Sequence, residues 1–585
     1  MTSPFFGLEI GLRGLRTWQT MVNITNNNIA NADTPGYSRQ SGQVQSTPSY
    51  PAPSFNAIGK PGQLGTGVEV ASITRARDIF IDAQIRSQKS IEGSWDTKRD
   101  ALSQVEAIVN EPSSSGLSSL LTKYWNSWQD VANNPADSAV RANLVEQGVS
   151  LASSFQNLHN QLQQQQRDLD GQVVYAVDQV NTFAQQIASI NQQIGHVEFD
   201  GTHANDLRDQ RDLLLDQLSQ FAKISYVESP GGMVSVYLGG RQLVDRDVAN
   251  ALTTAVPGGQ TWTQIQWKSD GQAASITDGT IKGMLDSRDT ILQGRMNDLD
   301  VLATRVVNSV NSVHSSGVGL DGVGGRNFFV GTGAGNMAVD SALTGPGGAE
   351  KVAAARMYPD TTSSTGYSFA RGDSSNAVAL AQLESTITQA STSSGLQPGT
   401  NLGGVTIFGV DLARAAVNSS ISMSVPAGSS TVTFTSSAGA SATGALTVGT
   451  DASGNQVVTV EGTSLGVRLT LVAPSSMSLS SVLAPLNGQS VAAASRPSTI
   501  GDQYGQQIAA LGVDSKAAQN QAQNQQVLVS QLQKQREQTS GVSLDEESTH
   551  LIEYQRAYQA AARVITTADE MLNTLINGTG LVGRG

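Results

Sequence analysis

Two amphipathic patterns at opposite ends of the chain constrain its fold more than any other feature. Near the start, Leu8, Leu12, Leu15, Val22 and Ile29 recur at alternating steps of three and four, with polar Gln19 and Asn26 in the intervening slots. Near the end, Leu551, Tyr554, Tyr558, Ala561, Ile565, Ala568, Leu572 and Leu575 follow the same rhythm without a gap. Each stripe predicts a helix whose narrow apolar seam needs a partner to leave water. If the two helices are each other's partner, the more than five hundred residues between them are an insertion. That organisation suits a subunit of a polymer better than an enzyme. Trp18, Met21, Ile24, Ile552, Val564, Met571 and Ile576 lie off the seam and widen the apolar face, which implies further contacts with neighbouring subunits.

The first helix is expected to start at Ser3 as cap with Pro4 in its first turn, and to run to about Ile29. Asn31-Ala32-Asp33-Thr34-Pro35-Gly36-Tyr37 stops it, because Pro35 pushes Thr34 out of helical geometry and Pro-Gly fits the centre of a type II turn. Residues 41–75 hold Pro48, Pro51, Pro53, Pro61, Gly65 and Gly67 and read as an extended arm. Helical periodicity returns from Phe80 to about Val109. The longest helix lies between Val140 and Val197, where a stripe from Phe155 to Val197 carries one stutter at Leu169–Val173. That stripe spans roughly 64 Å of helix at about 1.5 Å per residue. Gly201 marks a reversal, and Asn205 or Asp206 caps a second helix from Leu207 to about Phe221, forming an antiparallel hairpin.

Residues 222–277 change to a strand period, with Val234, Val236 and Leu238 before Gly239-Gly240, and Trp262, Ile265 and Trp267 beyond. Residues 281–313 are helical, 317–371 glycine-rich with short strands, and 377–383 a short helix. Residues 387–497 show clean strand alternation at Val432 and Phe434, Val458 and Val460, and Val467, Leu469 and Leu471. A Gln/Asn-rich helix over about 503–538 leads to the last helix, which opens with Ser543 and Glu546 as a capping box and ends at Asn577-Gly578. The expected fold is mainly α with inserted β domains, nested and discontinuous. Residues 1–40 pair with 543–585. A helical bundle is drawn from 76–221, 278–316, 372–386 and 498–542. A β-rich domain comes from 222–277 and 317–371, and 387–497 form an outer β domain.

Composition narrows the function. The net charge is −13, which repels phosphate backbones and argues against nucleic-acid binding. Only 15% of residues are charged and 38% hydrophobic, a polar but uncharged composition common in secreted or surface proteins. Cysteine is absent, which rules out disulfides and thiolate metal sites. No apolar run is long enough to insert in a membrane, and the opening MTSPFFGLEIGLRG lacks the features of a cleavable secretory signal.

No constellation supports catalysis, a cofactor or a metal. Asp545, Glu546, Glu547 and Glu553 read as a capped, dipole-matched helix start rather than catalytic carboxylates. His196, Glu198, Asp200, His203 and Asp206 read as a polar turn rather than ligands. Gly331–Gly335 lacks the Lys-Ser/Thr ending of a phosphate loop. Asp451, Ser453 and Asn455 begin like a calcium loop, but Gly462 stands where its glutamate belongs.

Three motifs carry a resemblance. Asn27-Asn28-Ile29-Ala30-Asn31-Ala32-Asp33-Thr34-Pro35-Gly36-Tyr37 resembles the signature of the bacterial flagellar axial family, comprising rod, hook and hook-associated proteins. Ser540-Gly541-Val542-Ser543-Leu544-Asp545-Glu546-Glu547, with Tyr554-Gln555-Arg556-Ala557-Tyr558, is similar to the hook-associated protein 1 branch of that family, as are Ala204-Asn205-Asp206-Leu207 and Gln210-Arg211-Asp212. The resemblance covers the ends and the helical middle but not residues 387–497. It implies a non-enzymatic subunit of the hook–filament junction, exported by the flagellar type III apparatus and located extracellularly. The partners it implies are further copies of the chain, the hook protein, the second hook–filament junction protein and an export chaperone on the C-terminal helix. The implied assembly interface is Leu8, Leu12, Leu15, Val22 and Ile29 with Leu551, Tyr554, Tyr558, Ile565, Leu572 and Leu575. Asn31, Pro35, Gly36 and Tyr37 form the family turn. The alternatives are another axial protein of hook or rod type, a secreted coiled-coil surface adhesin, and an enzyme carried on a coiled-coil stalk.

Overall fold

A computed structural model describes residues 5–574 except 51–62, 360–366, 387–400, 403–404, 412–418, 427–430, 437–440, 451–455, 463–466, 488 and 494–498. The expected Ser3 cap, the Asn577-Gly578 stop and the Asp451–Asn455 loop lie outside the described residues. The long helices are α1 (Phe6–Ala30), α2 (Ile79–Val109), α3 (Leu117–Asn133), α4 (Ser138–Val197), α5 (Asn205–Phe221), α6 (Gln293–His314), α7 (Ile500–Ser540) and α8 (Leu544–Asn573). The sequence reading missed α3, although Leu117, Leu121, Tyr124, Trp128 and Val131 keep helical spacing and are all buried. A short helix (Thr280–Asp286) and a wide π-type turn (Ser287–Leu292) precede α6 where one continuous helix was expected.

Two compact units divide the chain. The first gathers Met1–Ala101, Asp168–Arg288 and Lys516–Gly585; the second gathers Leu102–Arg167 and Asp289–Ser515. The helical bundle expected as one domain is therefore shared between the units. Residues 222–277 and 317–371 do not form one β domain, because their apolar side chains are buried in different cores.

In the first unit, Val173, Val177, Val180 and Ile187 of α4 and Leu215 and Leu218 of α5 pack on a small antiparallel sheet. Its strands, β3 (Ile224–Glu228), β4 (Val234–Leu238), β5 (Arg241–Asp245) and β6 (Val248–Ala249), lie in chain order, and alternate residues Val234, Val236 and Leu238 point into this core. Nor are residues 41–75 a lone extended arm. Earlier in the chain, β1 (Gln40–Ser46) and β2 (Val68–Arg75) pair antiparallel, with an irregularity at Gln43/Val44. The prolines that suggested an arm all fall in the connection between these strands.

The second unit has an aromatic core of Tyr124, Trp125, Trp128, Phe155, Phe328 and Phe329. His314 sits among them, accepting from the Ala353 amide (3.0 Å) through Nε2, with Nδ1 2.8 Å from the Arg326 carbonyl. Burial lowers its pKa to about 4, so it is a neutral core histidine. The same unit carries two β-sheets within residues 401–493. Val405, Ile421, Phe434, Val458, Val460, Leu469 and Leu471 give these sheets a core of their own.

Candidate assembly site at the paired chain ends

The helices α1 and α8 pack against each other along their length, antiparallel. Gly11 lies beside Ile565, Trp18 stacks on Tyr554 with ring centroids 5.8 Å apart, and Asn28 bonds Glu547. Close approach depends on Gly11 of α1, whereas a side chain at Gly14 would make only an ordinary contact. A Cβ on Gly11 would lie 2.8 Å from Ile565 Cγ1, and one on Gly14 would lie 3.5 Å from Ala561 Cβ. His550 also stacks on Tyr554, with ring centroids 5.6 Å apart.

Of the seam residues, Leu8, Leu15, Val22, Ile29, Leu551, Tyr554, Tyr558, Ile565 and Leu572 are half-buried, and Leu12 is exposed. Leu575 and Ile576 lie outside the described residues. The off-seam residues divide in two. Met21 and Ile24 are buried within the chain, under Gly42 of β1, so they are not free for neighbours as the sequence implied. Ile552, Val564 and Met571 stay exposed.

A tight turn follows α1 at residues 34–37. The Tyr37 amide bonds the Thr34 carbonyl (3.1 Å), and Gly36 takes φ +84°, which a type II turn requires at that place. Asn31 braces the turn, donating to the Asn27 carbonyl (3.0 Å) and accepting from Thr34 Oγ1 (3.2 Å). Pro35 is exposed and supplies only its fixed φ. Asn28 is the centre of the arrangement. Its oxygen accepts from the Tyr37 hydroxyl (2.8 Å) and the Gln40 amide (3.0 Å), and its Nδ2 donates to the Gln40 carbonyl (2.9 Å) and to Glu547 Oε2 (3.0 Å). Burial, reinforced by Asp206, Asp209 and Glu547, pushes the Tyr37 hydroxyl far above its ordinary pKa, so it remains a donor.

Glu547 is buried and also receives Arg39 Nε at 2.7 Å. It joins the turn after α1 to the start of α8, a role that a helix-dipole reading does not supply. Ser543 caps α8 through a long 3.5 Å bond to the Glu546 amide. The carboxylate of Glu546 faces Arg39 (3.4 Å), so the reciprocal half of the expected capping box is replaced by an ion pair.

Behind the turn lies a buried ionic cluster that the sequence reading did not see. On α5, Asp209, Asp212 and Asp216 share a face at helical spacing. Asp209 accepts from the amide (2.9 Å) and hydroxyl (2.7 Å) of Ser38, and from Arg75 (2.6 Å). Asp212 pairs with Arg75 (3.0 Å) and Arg86 (3.2 Å), and Asp216 with Arg86 (2.7 Å) and Arg536 (2.5 Å). Arg77 closes the set on Asp82 (2.6 Å). Burial alone would raise the Asp212 carboxyl, but Arg77, Arg86, Arg75 and Arg211 outweigh it and hold the pKa at about 2. The cluster ties the turn after α1, β2, α2, α5 and α7 to one another. Removing a single partner would leave an uncompensated buried charge.

Comparison with known proteins bears on these same elements. Residues 102–329 match the family described as flagellar hook-associated protein FlgK helical domain. Residues 8–37 match the flagella basal body rod protein family, and 533–578 the flagellar basal body rod FlgEFG protein C-terminal family. The flagellar hook-associated protein 1 of Bacillus subtilis is 30% identical over 100% of both chains. The chain belongs to the flagellar hook-associated protein 1 family.

The flagellar hook-associated protein 1 of Salmonella typhimurium is 26% identical, covering 97% of this chain and 98% of that one. The solved flagellar hook junction protein FlgK of Burkholderia pseudomallei aligns with a TM-score of 0.48 at 20% identity, over 78% of this chain and 100% of that chain. As a member of this family, the chain is a structural, non-enzymatic subunit of the flagellum that associates with itself and with other flagellar components. Among the described residues, no helix is long and apolar enough to cross a membrane.

The other candidate groups have structural partners. Glu198, at the His196–Asp206 turn, is bonded by Arg208 at 2.6 and 2.7 Å and by the Ala204 amide at 2.9 Å. Asn205 and Asp206 do not cap α5. Asn205 donates to the Ile73 carbonyl (2.9 Å), and Asp206 accepts from Gln40 (2.7 Å). In the Gly331–Gly335 loop, Asn336 Oδ1 accepts from the amides of Thr332 (2.9 Å) and Gly333 (3.0 Å), and Asp300 Oδ1 from the Ala334 amide (2.7 Å), so the three central N–H groups are already used.

Proposed function

We propose that this chain builds the junction between hook and filament, with the α1–α8 pair as its axial, polymer-forming element. One observation carries the reading. Helices from opposite ends of the chain form a single pair, and Leu12, Ile552, Val564 and Met571 remain exposed on it. In a polymer, neighbouring subunits would cover these apolar residues. Leu8, Leu15, Val22, Ile29, Leu551, Tyr554, Tyr558, Ile565, Leu572 and Leu575 supply the remaining interface, and the buried cluster around Asp212 fixes the pair to the rest of its unit.

On this reading the chain leaves the cell through the flagellar type III apparatus. It docks on the hook protein and receives the second junction protein. Before export, a chaperone covers the apolar face of α8. The test is electron microscopy of cells lacking the chain. The reading expects complete hooks without filaments, and filament attachment restored by the intact gene but not by one lacking residues 543–585. Filaments attached normally in the deletion strain would refute it.

A further inference from the structure

Beside the paired helices, β2 forms one wall of an open-sided cleft of about 700 Å³. The opposite wall is α1, through Arg13, Arg16 and Thr20, and His203 lies at one end. The pairing of β2 with β1 leaves one edge of β2 facing this space. The Thr47 amide bonds the Gly67 carbonyl (3.0 Å), so by alternation Glu69 exchanges bonds with Gln45, while Val68 and Val70 turn their N–H and C=O groups away from β1. Side chains confirm the direction at both ends of the edge. The Val68 carbonyl accepts from Thr17 Oγ1 (3.0 Å), and the Ile73 carbonyl from Asn205 Nδ2 (2.9 Å). Between them, the outward groups of Val70 bond no side chain among the described residues.

We propose that an extended segment of a second copy of this chain occupies the cleft and adds a strand to the β2 edge. Unpaired strand edges are normally blunted or covered, and backbone pairing is the standard way a partner covers one. Charge favours a second copy. Arg13, which also pairs with Glu9 (2.9 Å), and Arg16 line the cleft with one lining carboxylate, Glu69, whereas the chain as a whole carries −13. Position favours it too. Exposed Leu12 is four residues before Arg16 on α1, so the cleft continues the apolar surface of the helix pair. A cleft in one copy and a strand in the next also make a head-to-tail contact, the kind that propagates along a polymer. The proposal rests on the chain's being a polymer subunit, which its incorporation into flagella tests separately.

The test places a photo-reactive benzoylphenylalanine at Ala71, in the cleft wall, within flagella assembled from mixed isotope-labelled and unlabelled chains. The expected product is a covalent dimer whose joined peptides carry both labels. Cross-links confined to one chain, or made only to a different protein, would overturn the proposal. A second variant, Val70→Pro, removes the outward N–H without touching the bonds to β1, and proline is tolerated at such edge positions. With one inter-subunit hydrogen bond lost, filament-bearing cells should fall about tenfold, while Val70→Ala leaves them unchanged and both proteins melt like the parent. Normal filament attachment by a folded Val70→Pro chain would likewise overturn it.

Discussion

Replacing Gly11 by alanine sets two opposite effects against each other. In an isolated helix the change should stabilise by about 1 kcal/mol, because glycine is the poorest helix former after proline. In this chain the new Cβ would lie 2.8 Å from Ile565 Cγ1, 3.4 Å from Val564 Cγ1 and 3.5 Å from the Ala561 carbonyl oxygen. Ile565 is β-branched and stiff at χ1 in a helix, so it cannot swing aside, and overpacking of this kind costs about 1–3 kcal/mol. The clash should win by about 1 kcal/mol. Gly7, on the same helix, is the control, because its Cβ would meet nothing within 4 Å. There the propensity gain stands alone. Hydrogen exchange of the α1 and α8 amides in the full-length chain measures both. Gly7→Ala should slow exchange and Gly11→Ala should speed it. Adding Ile565→Ala should recover part of the loss, giving a coupling of about 1 kcal/mol in the double-mutant cycle. If Gly11→Ala slows exchange as Gly7→Ala does, or the two losses simply add, the helices do not approach here as described.

Other perturbations follow from the same contacts. Asp212, held at about 2 against an ordinary 3.8, stabilises the fold by about 2 kcal/mol above pH 4. This contribution is lost as pH falls toward 2, so the acid melting of Asp212→Asn should be flatter in that window than the parent's. His314 has a pKa lowered to about 4, so it costs stability as pH falls below 6.5 and the unfolded chain takes up the proton first. NMR should find its ring neutral in the folded chain at pH 5. Asn28→Ala removes bonds to Tyr37, Gln40 and Glu547 at once and should loosen the start of α8 by about 2–3 kcal/mol, seen as faster proteolysis there. Replacing residues 387–497 with a short Gly/Ser linker should leave motility largely intact, since those strands bury their own core. Loss of filament attachment by a folded, exported deletion would show that the segment belongs to the junction.

What the sequence disclosed and what it hid differ in reach along the chain. The terminal stripes were legible because period and polarity are local properties. Asn28 was visible only as one letter of a motif. Its role depends on Glu547, 519 residues away, and no spacing rule connects them. Gly11 gains its meaning only from the partner helix, where Ile565 fills the space a side chain would take. The acidic face of α5 could have been read from the spacing of Asp209, Asp212 and Asp216, but the arginines that neutralise it come from β2, α2 and α7. The β1–β2 pair was masked by prolines that belong to its connection. The third helix, α3, lay between Pro112 and Pro135, and its buried Tyr124 and Trp128 were the signal that could have found it.

The central claim is that the two ends of one chain form a single helix pair in the assembled flagellum. The Cβ positions of residues 14 and 561 are 3.5 Å apart, at the close end of the range for a disulfide, and the chain has no cysteine of its own to compete. In flagella from motile cells carrying Gly14→Cys with Ala561→Cys, mild oxidation should therefore join the two ends within one chain. Mass spectrometry of the monomer band should show the residue-14 and residue-561 peptides linked. Intact junctions in which both thiols stay free, or pair only between different chains, would contradict the account.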